Sequence, residues 1–317
     1  MKRLVTFGEA MIRLTTPVGV PLEATSWFAA PVGGAELNVA IAARRQGMEA
    51  TWVSTLPASP LGNLIARHAA ANGVATVLRR PEEGRVGLYF LEQSVPPRPS
   101  RIVYDRADTS FALWPDPAAD WKELLDEDTC LVVSGITAAL GAAPREATES
   151  AIDAARAVGA TVALDVNYRS SLWSVEEAFG WIRSVLDRAD ILSASPQDLA
   201  RLGLDAPEEE IHRAAVEHFG LQVAVGSTKR GVGRNVRFRL YAATSEETAT
   251  AEMEAEVLDP VGAGDAMFGT FLATFERQSL DETVRLAAGA MVTAYGLFGD
   301  ALVADPWDAQ QHGGVKR

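Results

Sequence analysis

Between a β-like segment, Met253–Leu258, and an apolar helical run the chain reads Asp259-Pro260-Val261-Gly262-Ala263-Gly264-Asp265-Ala266. Glycines at the start of a helix let free backbone N–H groups converge on one point, where the helix dipole is also positive. We therefore predict an anion site at the amides of Gly262–Gly264. Asp265 stands in the first turn, where its carboxylate could take a proton from an attacking hydroxyl. Asp is also favourable in a helix first turn for electrostatic reasons alone, so these residues by themselves leave both roles open.

Two common phosphate-binding motifs do not fit these glycines. Their spacing is not the Gly-x-x-x-x-Gly-Lys of a P-loop, and they lie too late in the chain for a dinucleotide fingerprint. No Gly-x-Gly-x-x-Gly follows the first predicted strand either, which disfavours an NAD-dependent dehydrogenase.

The rest of the chain alternates short β-like runs with helical patterns, which predicts an α/β fold whose parallel sheet is covered by helices on both faces. The predicted strands are Arg3–Phe7, Ala50–Ser54, Cys130–Ser134, Thr161–Asp165, Asp190–Ala194 and Leu221–Val225. The predicted helices are Glu36–Arg45, Leu61–Asn72, Arg145–Val158, Val175–Leu186, Pro207–His218, Ala263–Arg277 and Leu280–Tyr295.

One region interrupts this alternation. Arg85–Glu92 and Arg101–Arg106 read as two adjacent antiparallel strands, which indicates an inserted hairpin that acts as a lid. Ile12–Thr16 and Trp27–Val32 are predicted to supply the lid's other strands.

Two further polar clusters lie where a ligand could bind. Gly33-Gly34 leads into a predicted helix with Asn38 in its first turn, which is either an ordinary strand-to-helix turn or a contact surface for a polar substrate. Asp165-Val166-Asn167-Tyr168-Arg169 follows a buried strand. In open α/β sheets, ligands bind at the carboxyl ends of the strands.

Length and composition exclude several classes. The 317 residues are 48% hydrophobic and 22% charged, as expected of one large globular unit. The net charge of −13 disfavours nucleic acid as a partner. The longest uncharged stretch, Ala50–Ala66, contains two prolines and is too polar to span a membrane. A single cysteine excludes an internal disulfide. With no signal peptide recognisable after Met1, a cytoplasmic protein is expected.

Four motifs occur in order along nearly the whole chain: Gly8-Glu9-Ala10-Met11, Gly33-Gly34-Ala35-Glu36-Leu37-Asn38, Asp165-x-Asn167-x-Arg169 and Asp259-Pro260-x-Gly262-Ala263-Gly264-Asp265. Together they resemble the ribokinase-like carbohydrate kinases of the phosphofructokinase-B (PfkB) type. The hairpin residues Arg85–Phe90 and Arg98–Arg106, with Asn167-Tyr168-Arg169-x-x-Leu172-Trp173, resemble the members that phosphorylate 2-keto-3-deoxygluconate.

This resemblance implies a three-layer α/β/α ribokinase-like fold with a mainly parallel central sheet, formed as one kinase domain over residues 1–317. It implies a small β-sheet lid from about residues 11–33 and 84–108, through which we expect a homo-oligomer, a dimer or larger. The implied activity is ATP-dependent phosphorylation of 2-keto-3-deoxygluconate to its 6-phosphate, with Mg²⁺ held chiefly by phosphates and waters.

Site residues follow from the matching motif positions. The resemblance makes Asp265 the catalytic base and Gly262, Ala263 and Gly264 the anion hole, with Gly262 and Gly264 also touching the nucleotide. The implied substrate contacts are Gly34, Asn38, Tyr89, Tyr104, Arg106 and Arg169. The implied nucleotide contacts are Asn167, Ser227, Thr228 and Gly231.

The sequence departs from the family pattern at two places. Ser195-Pro196-Gln197-Asp198 replaces the Asn-x-x-Glu found near the metal and phosphates in many relatives, and it reads equally well as a helix start. The nucleotide turn is an altered Gly226-Ser227-Thr228-Lys229-Arg230-Gly231. The alternatives are a fructokinase- or ribokinase-like enzyme, for which two arginines in the pocket have no use, and a non-catalytic sugar-acid-binding protein on the same fold.

Overall fold

The computed structural model describes residues 1–95, 97–231 and 235–304. These residues form the strands β1 (Arg3–Phe7), β2 (Met11–Thr15), β3 (Val32–Gly33), β4 (Glu49–Thr55), β5 (Ala75–Arg79), β6 (Gly87–Glu92), β7 (Arg101–Asp105), β8 (Thr129–Ser134), β9 (Thr161–Asp165), β10 (Ile191–Ser193), β11 (Val223–Arg230), β12 (Asn235–Ala243) and β13 (Thr248–Glu256). The helices are α1 (Ala35–Arg45), α2 (Pro60–Ala71), α3 (Ser110–Leu113), α4 (Trp121–Leu124), α5 (Gly135–Ala138), α6 (Ala142–Ala157), α7 (Val175–Val185), α8 (Pro196–Arg201), α9 (Ile211–Phe219), α10 (Ala263–Thr274) and α11 (Leu280–Tyr295). Among the described residues, no helix is long and apolar enough to cross a membrane.

Nine strands form the large sheet, in the order β13-β12-β11-β10-β9-β8-β1-β4-β5. Every neighbouring pair from β11 to β5 is parallel. At the other edge β12 pairs antiparallel with both β11 and β13. The predicted mainly parallel sheet is therefore confirmed.

Helices cover both faces of this sheet, because side chains along each strand alternate between two hydrophobic cores. In β1, Leu4 joins the core beneath α1, α10 and α11, whereas Val5 and Phe7 join the core beneath α6, α7 and α9. All three side chains are at most 2% exposed. The arrangement confirms the predicted three layers.

The remaining four strands form a separate sheet in the order β3-β2-β6-β7, which we call the small sheet. The predicted hairpin is confirmed, since β6 and β7 pair antiparallel. The prediction of a strand over Trp27–Val32 is wrong: only Val32 joins β3, and Ala29 makes an isolated bridge to Thr15. Pro31 explains the interruption, because it has no N–H to donate to a ladder.

The sequence analysis missed β5 and β12 and misplaced β13, which begins five residues before Met253 and ends at Glu256. β5 and β13 are the edge strands of the large sheet and carry few large apolar residues, whereas β12 lies between β11 and β13 and alternates apolar residues with arginines. Along β13, glutamates alternate with alanines and one methionine, and the glutamates pair with arginines of β12. Half-exposed strands of this kind lack the apolar run by which buried strands are recognised.

The apolar residues of the lid that we expect to pack against a second chain are Trp27, Phe28, Val86, Leu88 and Phe90, and the structure exposes only some of them. Trp27 is 58% exposed, and Phe28 packs against Phe90 with 5.8 Å between ring centroids. Val86, however, is buried in the core and is not free to meet a second chain, and Leu88 is partly buried against the same core. Assembly through the remaining residues stays a prediction, which sedimentation would test.

Candidate active site

A cleft of about 580 Å³ lies between the carboxyl ends of the parallel strands and the inner face of the small sheet. It brings together side chains and glycines that are far apart in the sequence. Of the predicted site residues, it is lined by Gly34, Asn38, Tyr89, Tyr104, Arg106, Asn167, Arg169, Ser227, Gly262, Gly264 and Asp265. Ala263, which stands between the two glycines in the sequence, is buried and does not line the cleft.

The N-terminus of α10 opens into this cleft. Gly262 precedes the helix with a φ of 81°, in the left-handed region, and a Cβ added there would lie 1.7 Å from the carbonyl oxygen of Asp300. Only glycine fits, for both reasons. In the described part of the chain no side chain caps this helix. Its first amides therefore remain available to an anion.

Asp265 lies in the first turn of α10 and is held by Asn38, whose Nδ2 donates to Oδ2 over 2.8 Å. Burial raises the pKa of the Asp265 carboxyl to about 7, and the charges of Asp165 and Glu36 act in the same direction. The Asn38 hydrogen bond and Arg169 oppose this rise. A carboxylate whose pKa lies near neutrality is suited to take a proton from a hydroxyl.

Asp165 ends β9 in the same cleft. Burial raises its pKa to about 6, against the hydrogen bond from Ser193 and the charge of Arg169. Asp198 adds to the rise through its negative charge. Asp165, Asp198 and Asp265 are thus three of the five carboxylates that line the cleft, with Glu9 and Asp300.

The segment Ser195–Asp198 forms the capped start of α8. Ser195 Oγ accepts from the backbone N–H of Asp198 over 3.1 Å and donates to its carboxylate over 2.7 Å. Arg201 Nη1 donates to the other carboxylate oxygen over 3.0 Å. The departure from Asn-x-x-Glu therefore keeps an oxygen-rich helix start that faces the cleft.

Arg106 is paired with Glu9, a residue of the first motif to which the sequence analysis gave no role. Nε and Nη2 of Arg106 donate to Glu9 Oε2 over 3.1 and 2.6 Å, and Thr109 donates to Oε1. The Arg106 side chain is 10% exposed, so it is not an ordinary solvated arginine. Arg169, by contrast, is exposed at the edge of the cleft.

The two predicted tyrosines form one wall of the cleft. The rings of Tyr89 and Tyr104 lie 5.8 Å apart, and the Tyr89 hydroxyl donates to the carboxylate of Asp300. Asp300 lies in the loop after α11 and also lines the cleft. No sequence motif surrounds it, so the sequence analysis missed it. Gly34 is needed nearby, since a Cβ there would lie 2.7 Å from the Glu9 carbonyl oxygen.

Only one of the three predicted contacts on the nucleotide turn reaches this cleft. Ser227 lines it, whereas Thr228 and Gly231 line a second cavity of about 660 Å³. Thr228 Oγ1 donates to Glu208 over 3.2 Å in that cavity. Strand geometry separates Ser227 from Thr228, because successive side chains of β11 point to opposite faces of the sheet, whereas Gly231 lies beyond the end of β11.

Comparison with known proteins places these features in a family. Residues 1–303 match the model of the pfkB family carbohydrate kinases. The chain is 34% identical over 312 residues to the 2-dehydro-3-deoxygalactonokinase of Haloferax volcanii, which covers 97% of this chain and 95% of the relative. It is 28% identical over 313 residues to the 2-dehydro-3-deoxygluconokinase of Thermoproteus tenax, covering 95% and 90%.

A solved structure supports the same placement. The crystal structure of the Thermotoga maritima 2-dehydro-3-deoxygluconokinase superposes with a TM-score of 0.90 at 29% identity, and the match covers 95% of each chain. This likeness confirms the ribokinase-like fold expected from the motifs.

Proposed function

We propose that this chain, which belongs to the pfkB family of carbohydrate kinases, phosphorylates 2-keto-3-deoxygluconate at its primary hydroxyl, with ATP as donor. Family membership makes it a phosphotransferase with an alcohol acceptor. The observation that carries the choice of a sugar acid is the pair Arg106 and Arg169 in one cleft with Asp265. Relatives named for 2-dehydro-3-deoxy sugar acids agree with it.

The two arginines supply what a substrate carboxylate needs. A guanidinium group presents planar, directed donors that match the two oxygens of a carboxylate. Glu9 engages Nε and Nη2 of Arg106, which orients the group and leaves Nη1 for the substrate. Glu9 already balances the charge of Arg106, so it is chiefly the exposed guanidinium of Arg169 that a substrate carboxylate would neutralise, and this favours an acid.

Asp265 and the amides of Gly262–Gly264 would carry the chemistry. Asp265 takes the proton of the sugar hydroxyl, the hydroxyl oxygen bonds to the γ-phosphorus, and the bond between that phosphorus and ADP breaks. The amides stabilise charge on the transferring group, and such stabilisation, with positioning, supplies most of the catalysis of phosphoryl transfer. The products are the sugar-acid 6-phosphate and ADP.

The oxygen-rich donor set of the cleft fits a Mg²⁺ ion that arrives with the nucleotide, because Mg²⁺ prefers oxygen ligands and keeps several waters. Asp165 and Asp198 are the residues that would hold it, through waters and alongside the phosphates. When bound, the ion neutralises phosphate charge. In the described part of the chain no group of three or more His, Cys, Asp or Glu side chains forms a dedicated metal site.

The small sheet is proposed to act as a lid. Its inner face contributes Tyr89, Tyr104 and Arg106 to the cleft, so a bound sugar acid would lie between it and Asp265. Covering the substrate excludes water, which otherwise competes as the phosphoryl acceptor.

The test is substrate-dependent release of ADP from ATP by the wild-type chain. The acceptors compared are 2-keto-3-deoxygluconate, its galactonate epimer, fructose and ribose. We expect kcat/KM for the acids to exceed that for the neutral sugars by at least about tenfold, as a hydrogen-bonded charge pair provides. Preference for a neutral sugar would contradict the proposal and favour a fructokinase- or ribokinase-like enzyme. Preference for the galactonate epimer would correct the substrate within the acid class.

A further inference from the structure

Arg13 is a fully buried arginine of β2 that lies outside every motif of the sequence. Its side chain is 0% exposed. Nε donates to Thr15 Oγ1 over 2.6 Å, Nη1 donates to Asp300 Oδ1 over 2.8 Å, and Nη2 donates to Asp259 Oδ2. A charge so buried is costly unless it is paired and hydrogen-bonded. These directed bonds fix the guanidinium in one orientation.

One partner, Asp259, begins the turn that leads to Gly262. Its Oδ1 accepts from the backbone N–H of Val261 over 3.2 Å, and its Oδ2 accepts from that of Gly299 over 3.2 Å. The Asp259 side chain is also 0% exposed. The position of this carboxylate therefore sets the backbone of the turn from which the predicted anion hole projects.

The other partner, Asp300, touches the same turn and the cleft. Its carbonyl oxygen lies against Gly262 so closely that a Cβ on that glycine would be 1.7 Å away. Its carboxylate accepts from Tyr89 of β6 as well as from Arg13. Burial raises the pKa of Asp300, while the positive charge of Arg13 acts to lower it.

Arg13 thus connects three separate parts of the molecule. It belongs to the small sheet, its Nη2 holds the turn before α10, and its Nη1 holds the loop after α11. Tyr89, which lines the cleft, reaches the same loop from a neighbouring strand. The contacts form one continuous path from the wall that would bind the sugar acid to the amides that would hold the phosphoryl group.

We infer that Arg13 is a positioning residue for phosphoryl transfer: it holds the anion hole in register with the small sheet, so that the γ-phosphate and the acceptor hydroxyl are aligned. The inference rests on the proposed role of the Gly262–Gly264 amides. Arg13 does not itself line the cleft, so it acts through Asp259 and Asp300. The Arg13 guanidinium donates from two different nitrogens to the carboxylates of Asp300 and Asp259. A lysine has a single ammonium group and cannot reproduce this geometry.

The experiment compares Arg13→Lys with Arg3→Lys. Arg3 is a matched control because it also donates from Nε to a threonine, Thr129, and from Nη2 to an aspartate, Asp126. It starts β1 and therefore lies at the opposite end of the sheet from the cleft. For each variant we would measure kcat per folded molecule, with the folded fraction taken from circular dichroism, and both substrate affinities by calorimetry.

We expect Arg13→Lys to lower kcat by about 10- to 100-fold, since a displacement of about 1 Å in reacting groups has that order of effect. Affinities for ATP and the sugar acid should change far less than kcat. Arg3→Lys should leave kcat and both substrate affinities unchanged. A second variant, Thr15→Val, removes only the acceptor of Arg13 Nε and preserves side-chain shape. Thr15→Val should also lower kcat, but by a smaller factor than Arg13→Lys.

Unchanged kcat per folded molecule in Arg13→Lys and Thr15→Val, or a loss confined to the KM of the sugar acid, would overturn the inference. If Arg13→Lys does not fold, Thr15→Val decides alone. These outcomes differ from failure of the proposed function, which would appear as an inactive wild type or a wild type that prefers a neutral sugar.

Discussion

On the acceptor side of the cleft (Tyr89, Tyr104, Arg106 and Arg169), two of the four side chains are held by buried carboxylates, Glu9 and Asp300. On the nucleotide side (Asn167, Ser227 and the first turn of α10), glycines and backbone amides predominate. The difference indicates two ways of binding an anion. The sugar acid would be recognised by side chains, of which Arg106 and Tyr89 are already fixed in place, which lowers the ordering cost of binding. The phosphates would be recognised by backbone donors at a helix end.

The largest expected effect lies where the two sides meet. Asp265→Asn keeps the side-chain shape but removes the base, so kcat should fall by about 10²- to 10⁴-fold. Calorimetric affinity for the sugar acid should change little, because the acceptor side is untouched. Asp281→Asn is the matched control, since Asp281 also stands in the first turn of a helix, α11, but is exposed. Near-normal turnover in Asp265→Asn would reduce Asp265 to a helix-start residue.

The next effect tests whether the acceptor side binds through charge. Arg106→Ala and Arg169→Ala should each raise the KM for the sugar acid by about 10- to 100-fold, as expected when a charged hydrogen bond of ~1.5–3 kcal/mol is lost. The KM for ATP should stay constant. Arg101→Ala, on the same strand as Tyr104 but outside the cleft, is the control. If both variants match the wild type on the acid, the carboxylate pocket lies elsewhere.

The pH dependence of kcat/KM tests whether Asp265 acts as the base. Because the Asp265 pKa is raised to about 7, only the ionised form at higher pH accepts a proton. We therefore expect kcat/KM to fall by about tenfold per unit as pH drops below 7. Asn38 donates to the ionised carboxylate and favours it, so Asn38→Leu should move the midpoint to higher pH. A midpoint that does not move, or one that moves downward, would contradict this assignment.

The smallest expected effect compares Ser227 with Thr228, whose side chains lie on opposite faces of β11. Ser227→Ala should raise the KM for ATP by about 2- to 10-fold, the size expected for one neutral hydrogen bond. Thr228→Val should leave the KM for ATP unchanged, because Thr228 donates to Glu208 in the second cavity. The opposite ranking would place the nucleotide on the other face of the sheet. It would also weaken the contrast between a side-chain and a backbone half of the cleft.

The sequence analysis predicted correctly those features that depend on residues close together in the sequence. Buried parallel strands such as β1 and β9 are apolar runs, and their predicted bounds match the structure. The glycines and Asp265 of the α10 start are likewise contiguous, so their chemistry is visible in one segment. The predicted site residues on the small sheet depended on the family resemblance, but the cleft does bring Tyr89, Tyr104 and Arg106 together.

The partners that hold those residues were not predictable. Arg106 binds Glu9 across 97 positions, Tyr89 binds Asp300 across 211, and Arg13 binds Asp259 across 246. No periodicity links residues at such separations, since each pair exists only after the small sheet has docked on the large one. Thr228 shows that residues close together in the sequence can also be separated by the fold. It belongs to the nucleotide turn in sequence, but strand alternation turns its side chain away from the cleft.

The amides at the start of α10 have a consequence for how such an enzyme can be redesigned. A hole made of backbone N–H groups carries no side-chain identity, so its chemistry does not depend on the cleft side chains other than Tyr89 and Asp300, which reach the turn before α10. The Glu9–Arg106 pair, in contrast, is encoded by two side chains that can be exchanged together for uncharged ones. If the proposed roles hold, acceptor choice and phosphoryl chemistry can be altered separately, and a library restricted to residues 9, 104, 106 and 169 is the direct route to new sugar substrates.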